Sequence, residues 1–425
     1  MLLILGLSFL VFLFLGMPVA FAMLVADLIA LWYLGDLPSV IVPSKLFLSL
    51  NSFPLMAVPY FILAGEIMNR GGITTRIVRF ALALVGHFRG GLAHVNVVSN
   101  MIMAGVSGSA AADASAIGSM LIPSMVRAGY PPPFAVGLTA AASTMGPIIP
   151  PSILMVIYGS VTGLSVGALF LGGIVPGILI GLSLMVLVNH YARTRGYKKA
   201  SERVPLRILW QRFWDAFWAL LTPVIIVGGI LSGVFTATES GALACVYAIV
   251  VGLFFYKELK FRDFPTVFVN AAVMTAVSMV VIASASVFGF LLARAHFATA
   301  LVEWIAATSV NPMVVWFLIV AVMLLVGMFV EALAAMLIFI PVMVPVAKAM
   351  GYNELHFALV FIMLILVAAI TPPVGLLLYI ACAIGKVPVS QAMIWPFVWA
   401  IMAIIIVVIF FPWTVTLIPS LILVK

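Results

Sequence analysis

The sequence predicts an all-α polytopic membrane protein, built as two inverted repeats that each contain a re-entrant helical hairpin and a broken helix. Three observations carry this expectation. Of the 425 residues, 66% are apolar and only 8% are Asp, Glu, Lys or Arg, against about 25% charged in an ordinary soluble chain. So few charges cannot cover a water-soluble protein of this size, which excludes soluble enzymes and free nucleic-acid binders. Second, the apolar stretches are long enough for some ten to twelve elements of roughly 20 residues. Third, a sparse internal repeat runs at one offset of 222 residues: Gly105 falls on Gly327, Pro123 on Pro345, Gly129-Tyr130 on Gly351-Tyr352, and Pro150-Pro151 on Pro372-Pro373.

The elements follow in order. Residues 2–15 resemble a signal-peptide core, but no base precedes them and another apolar run follows, so they are read as a retained span. Scaffold spans fill residues 1–68, and an interfacial amphipathic helix fills 70–90. Residues 92–126 are apolar and return to the side they entered. The cluster Gly105-Val106-Ser107-Gly108-Ser109 at their centre is a poor helix interior, so they form a hairpin with its tip at 107–109. Residues 133–161 form a helix broken by Gly146, Pro147, Pro150 and Pro151, because proline lacks the N–H and clashes with the preceding turn. A span at 168–190 and a basic cytoplasmic linker at 191–212 close the first repeat, 1–212. In the second repeat, 213–425, scaffold spans fill 213–293, an interfacial segment 295–311, a hairpin 313–348 with its tip at 329–331, a broken helix 356–383 and a last span 392–424.

Basic residues cluster at Arg70–Arg89, Arg193–Arg212 and Lys257–Arg262. The positive-inside rule places all three in the cytoplasm. Counting crossings from them puts the N-terminus outside, puts residues 236–241 toward the outside or at a break within the membrane, and makes the two repeats inverted, a transporter plan whose binding site lies between the halves.

A broken helix exposes orphan N–H groups at one end and orphan carbonyls at the other. The first suit a carboxylate and the second a dehydrated cation. Small residues at 104–112 permit close backbone approach, and Ser107, Ser109, Ser143, Thr144 and Thr371 add hydroxyl oxygens. Few full charges among oxygen donors favour Na+ over Ca2+. The competing reading is tight helix packing by small residues; the arrangement's recurrence in both halves favours a site. Ionisable groups at membrane depth are functional candidates because each costs about 2.5–3.5 kcal/mol or more. Asp113 lies just past the first tip, as a helix cap or a site residue, and Glu331 lies at the second tip as a site residue. Glu239 reads as an N-cap or a partner contact, Arg294 as an interfacial base, and Asp27 and Glu66 as scaffold or partner contacts. Cys245, Cys382 and the five His make no ligand set, and no P-loop or hydrolase motif occurs.

Val106-Ser-Gly-Ser-Ala-Ala-Ala-Asp113, Gly146-Pro-Ile-Ile-Pro-Pro-Ser152 and Thr236-Ala-Thr-Glu-Ser240 resemble signature segments of the large membrane (M, DctM-type) subunit of TRAP (tripartite ATP-independent periplasmic) transporters. Overall the chain is most similar to sialic-acid large subunits. The resemblance covers nearly the whole chain. The family often has Pro where Ala237 stands, and Ala at Ser240 and Gly241. It implies elevator-type ion-transporter architecture, the bacterial inner membrane, and import of a carboxylate, sialic acid (N-acetylneuraminate) foremost. It also implies a Na+ gradient acting through at least two sites, a small membrane Q subunit and a periplasmic substrate-binding P protein, with no nucleic acid and no enzyme activity. One cation site is expected at Ser107, Ser109, Gly146 and Pro147, and a second at Gly327, Glu331, Ala369 and Thr371. Ser109, Asp113, Ser152 and Glu331 are expected to face the substrate. A stand-alone carrier or cation/proton antiporter of the same fold, and a scaffold or channel without coupling, are the alternatives.

Overall fold

The computed structural model describes every residue except 36, 37, 39, 309, 310, 424 and 425. Among the described residues the regular structure is wholly helical. The first part holds α1 (Leu2–Phe14), α2 (Val19–Leu34), α3 (Ile41–Leu50), α4 (Ala57–Arg70) and α5 (Ile73–Val85). Next come α6 (Gly91–Ser107), α7 (Ala110–Arg127), α8 (Pro132–Ser143), α9 (Ile153–Thr162) and α10 (Val166–Thr194). Then follow α11 (Leu206–Leu231), α12 (Ala237–Val250), α13 (Phe264–Arg294), α14 (Phe297–Ala307) and α15 (Pro312–Gly327). The chain ends with α16 (Ala332–Ala349), α17 (Glu354–Ala368), α18 (Leu376–Gly385), α19 (Trp395–Phe410) and α20 (Trp413–Leu423).

Helix boundaries recur at the 222-residue offset. Moved by 222, the bounds of α7 become those of α16, α8 starts where α17 starts, and α9 lies within one residue of α18. Both Pro-Pro bonds, Pro150-Pro151 and Pro372-Pro373, are cis. The local causes are legible. Gly108 takes a left-handed φ of 63° and ends α6, and Ser109, in extended backbone, starts α7 as its N-cap.

Two spans anticipated as continuous are bent. The last, 392–424, is two helices, α19 and α20, meeting at 58°, because Pro412 has no N–H to continue the ladder. The scaffold span before Arg70 bends by 65° between α3 and α4, at a 3-10 turn carrying Pro54. Helices α10, α11, α12 with its π-helical extension, α13 and α16 are each long and apolar enough to cross a membrane.

The scaffold is built by α4 against α12 and α13, and by α13 against α2 and α3. The two halves interlock elsewhere. Helix α18 packs on α7 and α8, while α9 reaches across to α16 and α17. On α10, Gly173, Gly177 and Gly181 form a small-residue stripe, and added β-carbons there would run into Ile148 O, the Ile149 side chain and the Met101 side chain. This close approach seats the first break and α6 against α10.

The three basic clusters lie on one end of the molecule. Arg70 and Arg76 pair with Asp263 at 3.8 Å and Glu258 at 2.6 Å, joining the first cluster to the third. The Gly90 N–H donates to Lys198 O at 3.2 Å, and the Ala200 N–H to Gly86 O at 2.9 Å, joining the first to the second.

Candidate functional site: the hairpin tips, the helix breaks and the cavity beside them

At the first tip, Ser107 Oγ donates to Asp113 Oδ1 at 2.5 Å, and the Ser109 N–H donates to Ser107 Oγ at 3.2 Å. Asp113 is fully buried. Its other oxygen, Oδ2, is buried without a hydrogen-bond partner among the described residues. Facing it is Gly146 of the first break, where an added β-carbon would lie 2.6 Å from Oδ2 and 3.1 Å from the Ala110 N. The Ile153 N–H donates to Gly108 O at 3.4 Å, so tip and break are joined by backbone as well. A buried carboxylate oxygen without a partner is costly. With the Ser107 hydroxyl beside it, it is an oxygen donor of the kind hard cations take.

The remaining expected residues separate. Ser152 is fully buried; its Oγ donates to Pro147 O at 2.6 Å and accepts from the Met155 N–H at 3.2 Å. It therefore shapes the break and caps α9. Ser143 and Thr144, at the end of α8, donate back to Ala140 O and Ala141 O, which leaves their lone pairs, not their protons, for a ligand.

At the second tip, Gly327 packs on α17, an added β-carbon falling 2.5 Å from Ala368 Cβ. The Gly375 N–H donates to Met328 O at 3.3 Å, and the Leu377 N–H to Ala369 O at 3.1 Å. Buried Thr371 donates to Val367 O at 2.7 Å. Tip and break thus meet in this half too. Glu331 is the N-cap of α16, its Oε2 accepting from the N–H groups of Leu333 at 2.9 Å and Ala334 at 3.2 Å.

The two acids thus divide in a way the sequence left open. Ser109, not Asp113, caps the first hairpin's second helix, because a cap must precede the first turn in extended backbone. Asp113 is one turn inside. Glu239 closes a capping box with Thr236 at the start of α12. Asp27 is fully buried in α2 with neither carboxylate oxygen hydrogen-bonded among the described residues.

Beside the first tip lies a cavity of about 570 Å³, within the usual range for small-molecule sites. Ser107 and Ser109 line it, while Asp113 and Ser152 are not among its lining residues. Residues the sequence reading passed over complete its walls: Asn69, Thr74, Thr75, Ser115 and Ser119, together with Glu66, which accepts from Asn270 at 2.8 Å. The four-residue spacing of Ser115 and Ser119 was a usable signal, since it puts both hydroxyls on one helix face. Asn69 and Thr75 border the first basic cluster, so the cavity lies toward the basic end. A smaller cavity, about 280 Å³, lies between α3, α9, α13 and α16 and is lined by Ser49, Ser52, Ser160 and Ser286 among apolar residues. Ser52 and Ser160 meet there at 3.2 Å.

Residues 7–414 match the DctM component of the tripartite ATP-independent periplasmic transporters. The chain is 40% identical to the sialic acid TRAP transporter large permease protein SiaM of Vibrio cholerae over 379 residues, 88% of each chain. It is 35% identical to the C4-dicarboxylate TRAP transporter large permease protein DctM of Rhodobacter capsulatus over 422 residues, 96% of each. The solved structure of MtrF from Neisseria gonorrhoeae superposes with a TM-score of 0.57 at 13% identity, covering 86% of this chain and 82% of that one. That likeness concerns the fold.

Proposed function

Because the chain belongs to the DctM family of tripartite ATP-independent periplasmic transporters, and is a transporter permease rather than an enzyme, we propose that it is the Na+-coupled subunit importing a carboxylate, sialic acid foremost. In this reading it sits in the bacterial inner membrane with a small Q subunit and receives its substrate from a periplasmic P protein. The hairpins and broken helices of two inverted halves move as one elevator body against the scaffold.

The observation that carries the reading is Asp113. Its unpartnered buried oxygen lies where the first tip meets the first break, next to Ser109, whose hydroxyl borders the cavity. A cation beside Asp113 would compensate that charge and hold Ser107, Ser109 and Gly146 together. The tip would then be ordered only when the ion is bound, which couples ion to substrate. The second tip, through Gly327, Glu331, Ala369 and Thr371, would hold a second ion on carbonyl, hydroxyl and carboxylate oxygens. Sialic acid is supported by the similarity to the Vibrio cholerae permease, with C4-dicarboxylates the competing substrate class.

Uptake into proteoliposomes tests this, with the Q subunit and a binding protein present. An imposed inward Na+ gradient should drive uphill uptake of N-acetylneuraminate. Asp113→Ala or Ser109→Ala should abolish it while the complex still assembles. Wild-type uptake indifferent to the Na+ gradient would sink the coupling.

A further inference from the structure

The larger cavity extends well past the tip. Ser109 caps α7, and Ser115 and Ser119 follow on the same helix. At about 1.5 Å per residue, Ser119 lies ~15 Å along the axis from the tip. Across the cavity stand Glu66, Asn69 and Thr75, from the end of α4 and the start of α5. Among the described residues, no Lys or Arg lines the cavity.

The chemistry of this wall is mixed. Asn69 Oδ1 is already taken by the Thr74 hydroxyl at 2.9 Å, so its amide N–H groups are what it offers. Ser119 Oγ spends its proton on Ala116 O at 3.0 Å and offers lone pairs. Glu66 accepts only. Donors and acceptors side by side suit alcohol groups, which both give and take hydrogen bonds. A second carboxylate could only accept and would face Glu66.

The internal repeat supplies an independent observation. Shifted by 222 residues, Glu66, Asn69, Thr75, Ser115 and Ser119 fall on Phe288, Leu291, Phe297, Leu337 and Pro341. Leu337 and Pro341 line the smaller cavity. The backbone plan recurs but the polar wall does not. Tips and breaks are common to both halves, as an ion-binding device in each half requires, whereas the wall belongs to the first half alone, as the reading of one asymmetric solute requires.

We infer that Ser115, Ser119, Glu66, Asn69 and Thr75 form a subsite for the polyhydroxylated tail of a sugar acid whose carboxylate is held at the first tip. This rests on the carboxylate-transport reading and selects within it: an extended polyol acid over a short dicarboxylate.

Calorimetric binding of N-acetylneuraminate and of succinate to the purified membrane complex in Na+ tests it. A site built to hydrogen-bond hydroxyls discriminates strongly against ligands that lack them. Wild type should therefore prefer N-acetylneuraminate by at least about tenfold, and both S115A/S119A and N69L should shrink that ratio to roughly threefold or less. Both variants should elute as monodisperse complexes. A ratio unmoved by either variant, or a wild-type preference for succinate, would overturn the subsite even if Na+-driven uptake is intact. A ratio that collapses in the variants while uptake ignores Na+ would uphold the subsite and reject the coupling.

Discussion

Gly146 and Asp113 make the close contact at which the first tip meets the first break. A β-carbon at 146 would press on a carboxylate oxygen without a hydrogen-bond partner among the described residues and on the first amide of α7. Neither the carboxylate nor the backbone can give way cheaply in a packed interior. Gly146→Ala should therefore raise the Na+ concentration for half-maximal uptake by about tenfold or more, measured against wild type in the same vesicles. At this scale the sequence was half-informative. It marked Asp113 as an acid at membrane depth, because the surrounding composition leaves few such residues. It did not show that Asp113 would face the break while Ser109 borders the cavity, because that depends on how the hairpin rotates against α8. Glu331 lies at the second tip, and its carboxylate accepts from two amides of its own helix, a capping geometry set by the local backbone.

Elements carry the next set of causes. The ends of α6, α8 and α17 were legible because glycine and proline act on their own backbone, whatever surrounds them. The bends between α3 and α4 and between α19 and α20 were less so, since hydropathy continues across each of them. The start of α12 is fixed locally as well: Thr236 accepts from the Glu239 N–H at 3.2 Å, and Glu239 accepts from the Thr236 N–H at 2.8 Å. Thr236→Ala should cost about 1 kcal/mol of stability, seen as a lowered unfolding temperature of the detergent-solubilised protein. Glu239→Gln, which keeps an acceptor at the same place, should lower it less. This motif is therefore a structural signature of the scaffold, unlike the other two sequence signatures, which meet at Asp113 and Gly146.

For the whole molecule, the salt bridges from Arg70 and Arg76 and the backbone bonds at Gly86 and Gly90 gather the basic clusters at one end. The larger cavity lies toward that end, and the smaller one lies near Ser52 and Ser160. Cysteine placed at Ser119 should react with a membrane-impermeant thiol reagent only from the cytoplasmic side, and cysteine at Ser49 only from the opposite side. Labelling of right-side-out and inverted vesicles checks both. The grouping of the bases into clusters was readable from sequence, whereas the interlocking of the halves was not, because it pairs surfaces far apart in the chain. That interlocking has a consequence for synthesis. The face of α7 and α8 that receives α18, around Gly118, Ile122 and Val136, is complete as soon as residue 143 has been made. Its cover begins at Leu376. At ~5–20 residues per second, translation leaves that face bare for roughly 10–50 s. A nascent chain halted after the first half would present the quality-control machinery of the membrane with an uncovered groove, and only the arrival of the second half ends that exposure.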